Sequence, residues 1–347
     1  MSNAFVQRWL IGLLAGTALA WVSSRLFVRS YSPRVYDAER GRWVRPAGTR
    51  FRWPLEGYGV TEYGATGLPG WQPPKPGIDA DAHRFIALYG DSQAEGLCVP
   101  DQQKFHRQLT CALKQTVVVP LAESGDSCRD WSEQFAWAER RWRVKLHVIL
   151  LTEMDDVKNI ASPPNALGTQ RPSEFRARLL PWLPNMLIHA LSGIALDANS
   201  GETKTLRFRP GPIIAPAPHQ DVIGPQYPSD LPNSRLAYGE IAEQWQDRAT
   251  APIVLVYAPR VPANTGREII WDDPQQDPFE LFATQARLNG IVVVDARPAF
   301  RESSKSGQFP HGFHNGQPGN GHLNAIGYAL LANLLSGPVR STLSRSD

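Results

Sequence analysis

Two short motifs near opposite ends of this chain hold residue types suited to nucleophilic chemistry: Gly90-Asp91-Ser92 and Gly321-His322-Leu323-Asn324. A serine hydroxyl is a weak nucleophile until a base takes its proton, and an imidazole can do so near neutral pH. Ser92 is therefore the candidate nucleophile and His322 the candidate general base. The base must come within about 2.6–3.2 Å of the hydroxyl, directly or through one water. More than two hundred residues separate them, so only the fold can arrange that meeting. Each residue also has a plainer role. Asp91 or Ser92 can cap a following helix, and a histidine at a helix start can simply pack there. The tripeptide occurs a second time, as Gly125-Asp126-Ser127, so by itself it carries little.

The elements that would position these residues follow from hydrophobic patterning. Five short runs are apolar without alternation: Phe85–Tyr89, Thr116–Pro120, Leu146–Leu151, Ile253–Tyr257 and Ile291–Asp295. Such runs mark strands covered on both faces, hence a parallel sheet. Helical patterns alternate with them at Gln102–Lys114, Trp131–Trp142, Arg235–Arg248 and Pro278–Leu288, and a last one covers Asn324–Leu335. Strands alternating with helices predict a three-layer α/β/α sandwich with a five-stranded parallel sheet. Ser92 then stands on a tight turn at the carboxyl edge of the first strand. Asn324 is placed to be the N-cap of the last helix. Residues 29–80, rich in Gly, Pro, Arg and Trp, read as an irregular leader packed on the main domain, which spans 81–340. Residues 157–234 interrupt the rhythm as an insertion, with a helical pattern at Glu174–Leu191 and a proline-rich stretch from Pro210 to Pro232. Lying beside the strand ends, the insertion is a candidate substrate wall, lid or docking surface for a protein partner.

Composition narrows the function classes. The 347 residues carry 36 Lys and Arg against 33 Asp and Glu, a net charge of +3 with no block of like charge. That gives no support for nucleic-acid binding. Cys98, Cys111 and Cys128 lack the spacing of a zinc site, so no metal is expected. Three buried thiols, or one disulfide with a free thiol, both remain open. The segment Trp9–Val22 is uncharged and mostly apolar, and extending it to Val28 reaches the length of a membrane span. Residues 1–28 are read as an uncleaved anchor, with secretory cleavage after Ala18-Leu19-Ala20 as the rival.

The stretch Tyr89-Gly90-Asp91-Ser92-Gln93-Ala94-Glu95-Gly96 resembles the first block of the SGNH (GDSL-type) hydrolases. Gly321-His322-Leu323-Asn324-Ala325-Ile326-Gly327 resembles their last block, and the likeness spans roughly residues 84 to 335 in order. Tyr58-Gly59 and Gly64 to Gly67 in the leader are similar to bacterial membrane-anchored members. The resemblance implies a flavodoxin-like SGNH hydrolase fold with no cofactor. It also implies an oxyanion hole built from the Ser92 and Gly125 backbone N–H groups and from the third-block position, here Asp155. Two positions depart from the family pattern. Asp155 stands where an asparagine donor is usual, and an ionised carboxylate there would repel a developing oxyanion unless protonated or turned away. Glu153, Asp155 and Asp156 together could instead be a cation site. In the last block the usual aspartate is replaced by Asn320 and Gly319. Ser92 and His322 then act as a dyad, with Asp91, Asn320 and Asn324 in support, or a carboxylate arrives from elsewhere.

The function this implies is a serine esterase or O-acyltransferase acting on an ester, with O-acetyl groups of envelope or exported polysaccharide as the substrate class. The expected location is the inner membrane, single-pass, with the main domain in the periplasm; secretion after signal cleavage is the alternative. A second reading is a catalytically impaired SGNH-fold pseudoenzyme, tethered to the membrane as a binding or assembly subunit.

Overall fold

The computed structural model describes residues 3–27, 34–53, 56–74, 84–113, 115–158, 187 and 231–346. Helix α1 (Asn3–Phe27) carries no acid in its first turn. Its Ala4–Ser24 stretch is the one segment among the described residues long and apolar enough to cross a membrane, with mean hydropathy 1.4; it is exposed through Val22, and Ser24 at its end is buried.

The leader is more ordered than its composition predicts. It forms two antiparallel ladders, β1 (Val35–Asp37) on β2 (Arg42–Val44) and β3 (Arg50–Arg52) on β4 (Val60–Glu62). Gly41 and Gly48 take positive φ in the links from β1 to β2 and from β2 to β3, and no window of alternating hydrophobicity could reveal strands this short.

The core sheet follows with β5 (Arg84–Tyr89), then helix α2 (Ser92–Glu95) and, after a 3-10 turn, α3 (Phe105–Ala112). Next come β6 (Thr116–Pro120), α4 (Cys128–Glu133), α5 (Phe135–Trp142), β7 (Leu146–Leu151) and α6 (Asp155–Lys158). Beyond the insertion lie α7 (Leu231–Arg248), β8 (Ile253–Tyr257), the small hairpin of β9 (Ala263–Asn264) and β10 (Ile269–Ile270), and α8 (Gln276–Leu288). β11 (Val292–Asp295), α9 (Arg297–Lys305) and α10 (Ala325–Ser346) complete the chain. The order across the sheet is β6-β5-β7-β8-β11, every pairing parallel. Counted among the core strands alone, this is the doubly wound order 2-1-3-4-5. The order reverses between β5 and β7, so the crevice at their carboxyl ends is where such sheets bind ligands.

The continuous apolar runs have a direct physical cause. Alternate residues of each strand point to opposite faces. Ala87, Tyr89, Ile149, Leu151, Leu255 and Tyr257 pack with Trp131, Phe135, Trp245 and Phe282 from α4, α5, α7 and α8. Ile86, Leu88, Val148, Leu150, Val254 and Val256 pack with Phe105, Phe300, Tyr328 and Leu331 from α3, α9 and α10. Both faces are covered by helices, so the three-layer sandwich expected from the sequence is the architecture found.

Several element boundaries differ from expectation. The helix predicted over 131–142 is two helices that meet at Gln134. The 102–114 helix begins as the 3-10 turn Asp101–Gln103 and becomes α-helical only at Phe105. The last helix runs on to Ser346 through Pro338, and α9 was not foreseen. All three cysteines are free, but Cys111 is exposed, unlike buried Cys98 and Cys128, which corrects the picture of three buried thiols. The insertion's expected helix and proline-rich loop lie outside the described residues, apart from Leu187 and from Leu231 and Pro232, which open α7 rather than end a loop.

Polar side chains tie the leader to the core. The Lys104 ammonium, fully buried, donates to Thr61 Oγ1 at 2.7 Å and to the Glu95 carbonyl at 3.3 Å. Tyr63 donates to Glu95 Oε1 at 2.7 Å, and the Arg45 guanidinium lies over the Phe51 ring at 4.5 Å. Arg42 pairs with Asp126 and, at 3.0 Å, with Glu123.

Candidate active site

The turn after β5 is built around a residue without a side chain. Gly90 has φ +149°, and a Cβ there would overlap Ala94 and the Leu150 carbonyl. Asp91 is the N-cap of α2, accepting from the Gln93 N–H at 2.8 Å. Gly96 closes this single turn in the left-handed conformation, donating to the Ser92 carbonyl at 3.1 Å. Ser92 is thus fixed at the start of a short helix, half-buried, at the carboxyl edge of the sheet. Among the described residues no acceptor takes its backbone N–H.

His322 reaches this turn from the far end of the chain. Its neighbour Leu323 donates its backbone N–H to Gln93 Oε1 at 2.7 Å, which clips the histidine loop to the residue after Ser92. Gly312 N–H donates to the His322 carbonyl at 2.9 Å. Asn324 caps α10, its Oδ1 accepting from the Ile326 N–H at 2.9 Å and the Gly327 N–H at 3.1 Å. Its Nδ2 donates to the Phe309 and Gly312 carbonyls. The helix start therefore holds both sides of the loop. His322 Nε2 lies 3.1 Å from Ser92 Oγ. The contact from Ser92 Oγ to Asp91 Oδ2 is longer, at 3.4 Å.

The other ring nitrogen meets a residue that sequence reasoning did not single out. Glu56 Oε1, from the leader, is hydrogen-bonded to His322 Nδ1, and Glu56 Oε2 accepts the His322 backbone N–H at 3.3 Å. The expected supporter Asn320 is exposed; its backbone N–H bonds the Gln317 carbonyl, and its side chain takes no part in the contacts to His322. Burial would raise the Glu56 carboxyl, but the hydrogen bond and charge of His322 outweigh it and hold the group below the usual carboxylate range. Cys98 approaches the same carboxylate, its thiol donating to Oε1 at 3.8 Å. Burial, then the Glu56 charge, push that thiol up, so it stays protonated as a donor. The donor atoms of Glu56, Cys98 and His322 lie within 4.8 Å of one another, and the hydrogen bonds among them already engage all three. The Trp53 ring stands edge-on to the imidazole, 6.1 Å between centroids.

The expected oxyanion positions fall in separate loops. Gly125 sits in the turn after β6 with φ +88°. The preceding Ser124 donates its N–H to Glu95 Oε2 at 3.0 Å, which ties that turn to α2. In the second Gly-Asp-Ser copy, Asp126 is buried against Arg42, and Ser127 caps α4 in a capping box with Asp130. Asp155 is exposed in the first turn of α6, at the carboxyl end of β7. Glu153 is ion-paired with Arg260. Burial, followed by the charges of Asp91, Glu153 and Asp155, pushes Asp156 up to about 8. Burial also raises Asp91, partly opposed by the Gln93 N–H.

No family model matches this sequence, and no curated protein matches it. Among solved structures, it is similar to a lipase/acylhydrolase from Enterococcus faecalis at 16% identity, covering 76% of this chain and 96% of that one, TM-score 0.36. A catalytic mutant of an acetylxylan esterase from Geobacillus stearothermophilus is similar at 14% identity, covering 75% and 94%, TM-score 0.39. A member of the lipolytic G-D-S-L family from Veillonella parvula is similar at 13% identity, covering 73% and 96%, TM-score 0.37. Likenesses this distant leave the chain's own strand order and contacts to speak for it. Those show a doubly wound parallel sheet of order 2-1-3-4-5, with the serine turn after its first core strand and the histidine before the last helix.

Proposed function

We propose that this chain is a serine esterase or O-acyltransferase of the SGNH type. The observation that carries this reading is the 3.1 Å approach of His322 Nε2 to Ser92 Oγ at the sheet's carboxyl edge. His322 takes the Ser92 proton as Oγ attacks the ester carbonyl, and the same proton passes to the departing alkoxide. The acyl group is then carried on Ser92. Release to water gives hydrolysis; release to a sugar hydroxyl gives transfer. Backbone N–H groups of Ser92 and Gly125 are assigned to the oxyanion, with Asp155 contributing only in its protonated form.

The substrate class we assign is O-acetylated envelope or exported polysaccharide. The N-terminal apolar helix supports that assignment by tethering the body at a membrane, with the main domain on the periplasmic side of the inner membrane. The test is fluorophosphonate labelling together with turnover of aryl acetates. Wild-type protein should be labelled at Ser92 and turn over the acetate, and Ser92→Ala should do neither.

A second reading has one observation in its favour: the third block presents Glu153, Asp155 and Asp156 where an amide donor is usual in this type of site. In that reading the chain is a membrane-tethered binding or assembly subunit on a hydrolase fold. Wild-type protein that is neither labelled nor active, yet binds acetylated polysaccharide saturably, would establish it.

A further inference from the structure

We infer that Glu56 is the positioning acid of this site, a carboxylate delivered to His322 by the leader rather than by the loop that carries the histidine. The inference rests on the Ser92–His322 reading and deepens it. Both Glu56 oxygens are used on one residue, Oε1 at the ring Nδ1 and Oε2 at the backbone N–H 3.3 Å away. A carboxylate accepting at Nδ1 keeps the proton there, so the Nε2 lone pair faces Ser92 Oγ. When His322 takes the hydroxyl proton, the imidazolium sits against that negative charge while Glu56 itself stays unprotonated.

The surroundings hold Glu56 in this place. Gly321, with φ +107°, has no side chain, and a Cβ there would overlap Glu56 Oε2. Gly57 N–H donates to Asn315 Oδ1 at 2.8 Å, joining the leader to the loop before the histidine. Gly57 and Gly59 pass so close to the Cys98 and Leu97 carbonyls that side chains there would overlap them. Further along the leader, Thr61 and Tyr63 bond to Lys104 and Glu95, on either side of Cys98. The leader therefore reaches the site at a defined height above α2. The other nearby acids hold other partners: Asp91 Oδ1 caps Gln93 while its Oδ2 lies 3.4 Å from Ser92 Oγ, and Glu153 pairs with Arg260.

The experiment is a pH–rate profile of the full chain carrying Glu56→Gln, beside wild type, Glu56→Asp and Ser92→Ala. Among the described residues, the titratable groups facing His322 are Glu56, Asp91, Cys98 and His311. Only Glu56 changes in the glutamine variant. Its kcat should fall on the order of 10³–10⁴-fold with KM little changed, the effect of losing the acid in such a site. The acid limb of kcat/KM should move to lower pH, because the imidazolium loses its anionic partner. Glu56→Asp keeps the charge and should keep the limb in place. Wild-type kcat and an unmoved limb in Glu56→Gln, with Ser92→Ala inactive, would overturn the inference and leave the Ser–His reading standing. Full turnover by Ser92→Ala would instead remove that reading. Should the glutamine variant fail to fold, proton NMR of the wild type decides. A downfield Nδ1–H resonance that is lost in His322→Ala is expected, and its absence from the wild type overturns the inference.

Discussion

Gly321 and Glu56 occupy one another's space: the glycine has no side chain where the carboxylate lies, and any Cβ there would overlap Glu56 Oε2. Its φ of +107° is also one that residues with a Cβ rarely adopt. Gly321→Ala should therefore push Glu56 off the imidazole. We expect turnover to drop by at least an order of magnitude. The pH limb should move in the same direction as in Glu56→Gln, and the melting transition should stay cooperative. An alanine variant with wild-type rate would show that Glu56 does not need its observed place.

The two Gly-Asp-Ser copies make opposite predictions. Ser127 caps α4, and its hydroxyl and backbone N–H both bond the Asp130 carboxylate, at 2.8 and 2.9 Å. Ser127→Ala should cost about 1 kcal/mol of stability, the usual effect of losing an N-cap. It should leave aryl acetate turnover unchanged. Denaturant unfolding and a rate assay check the two halves. Loss of activity with an intact fold would move the nucleophile away from Ser92.

Leader docking and turnover should be coupled through Tyr63. Its hydroxyl donates to Glu95 Oε1, while Glu95 Oε2 accepts from Ser124 beside Gly125. The fully buried Glu95 carboxyl is held below the usual range: burial would raise it, but Arg45, Ser124, Tyr63 and Lys104 together outweigh that. Tyr63→Phe leaves this carboxylate one donor short, at about 1–3 kcal/mol for an unsatisfied buried group. The melting temperature and kcat should fall together, because one residue links the leader, the serine helix and the Gly125 turn. A variant destabilised by that amount but fully active would separate leader packing from catalysis.

The sheet was legible in the sequence because each core strand is covered on both faces. Runs such as Leu146–Leu151, apolar but for the buried His147, and Ile253–Tyr257 match the observed strands residue for residue. Ser92, His322 and the capping role of Asn324 were legible because each lies in a local pattern that a strand or helix boundary imposes. Glu56 was not. It belongs to no periodic element, and its partner is 266 residues away. The only local trace is Gly57-Tyr58-Gly59, where two glycines and a left-handed Tyr58 let the chain run against the Cys98 backbone. A close approach of that kind says that something is near, not what it touches. The break at Gln134 was hidden for a different reason. The apolar face continues from Trp131 through Phe135 and Ala138, so side-chain periodicity alone reads as one helix.

The acidic stretch after β7 yields a pH dependence with a definite sign. Burial and the carboxylates of Asp91, Glu153 and Asp155 place Asp156 at about 8, against about 3.9 in an unfolded chain. Between those values the folded protein holds a proton that the unfolded chain has released. The contribution of this group to stability is then fully present below about pH 4 and is lost as pH rises through about 8. Asp156→Asn keeps the shape of the neutral acid and cannot ionise. The variant should match wild type near pH 4 and melt progressively higher than wild type as pH rises to about 8, with the gap constant above that. Thermal melts at three pH values across that range provide the check. Parallel curves for the two proteins would mean that Asp156 titrates in the ordinary carboxylate range, and that the charges of Asp91, Glu153 and Asp155 are relieved in some other way.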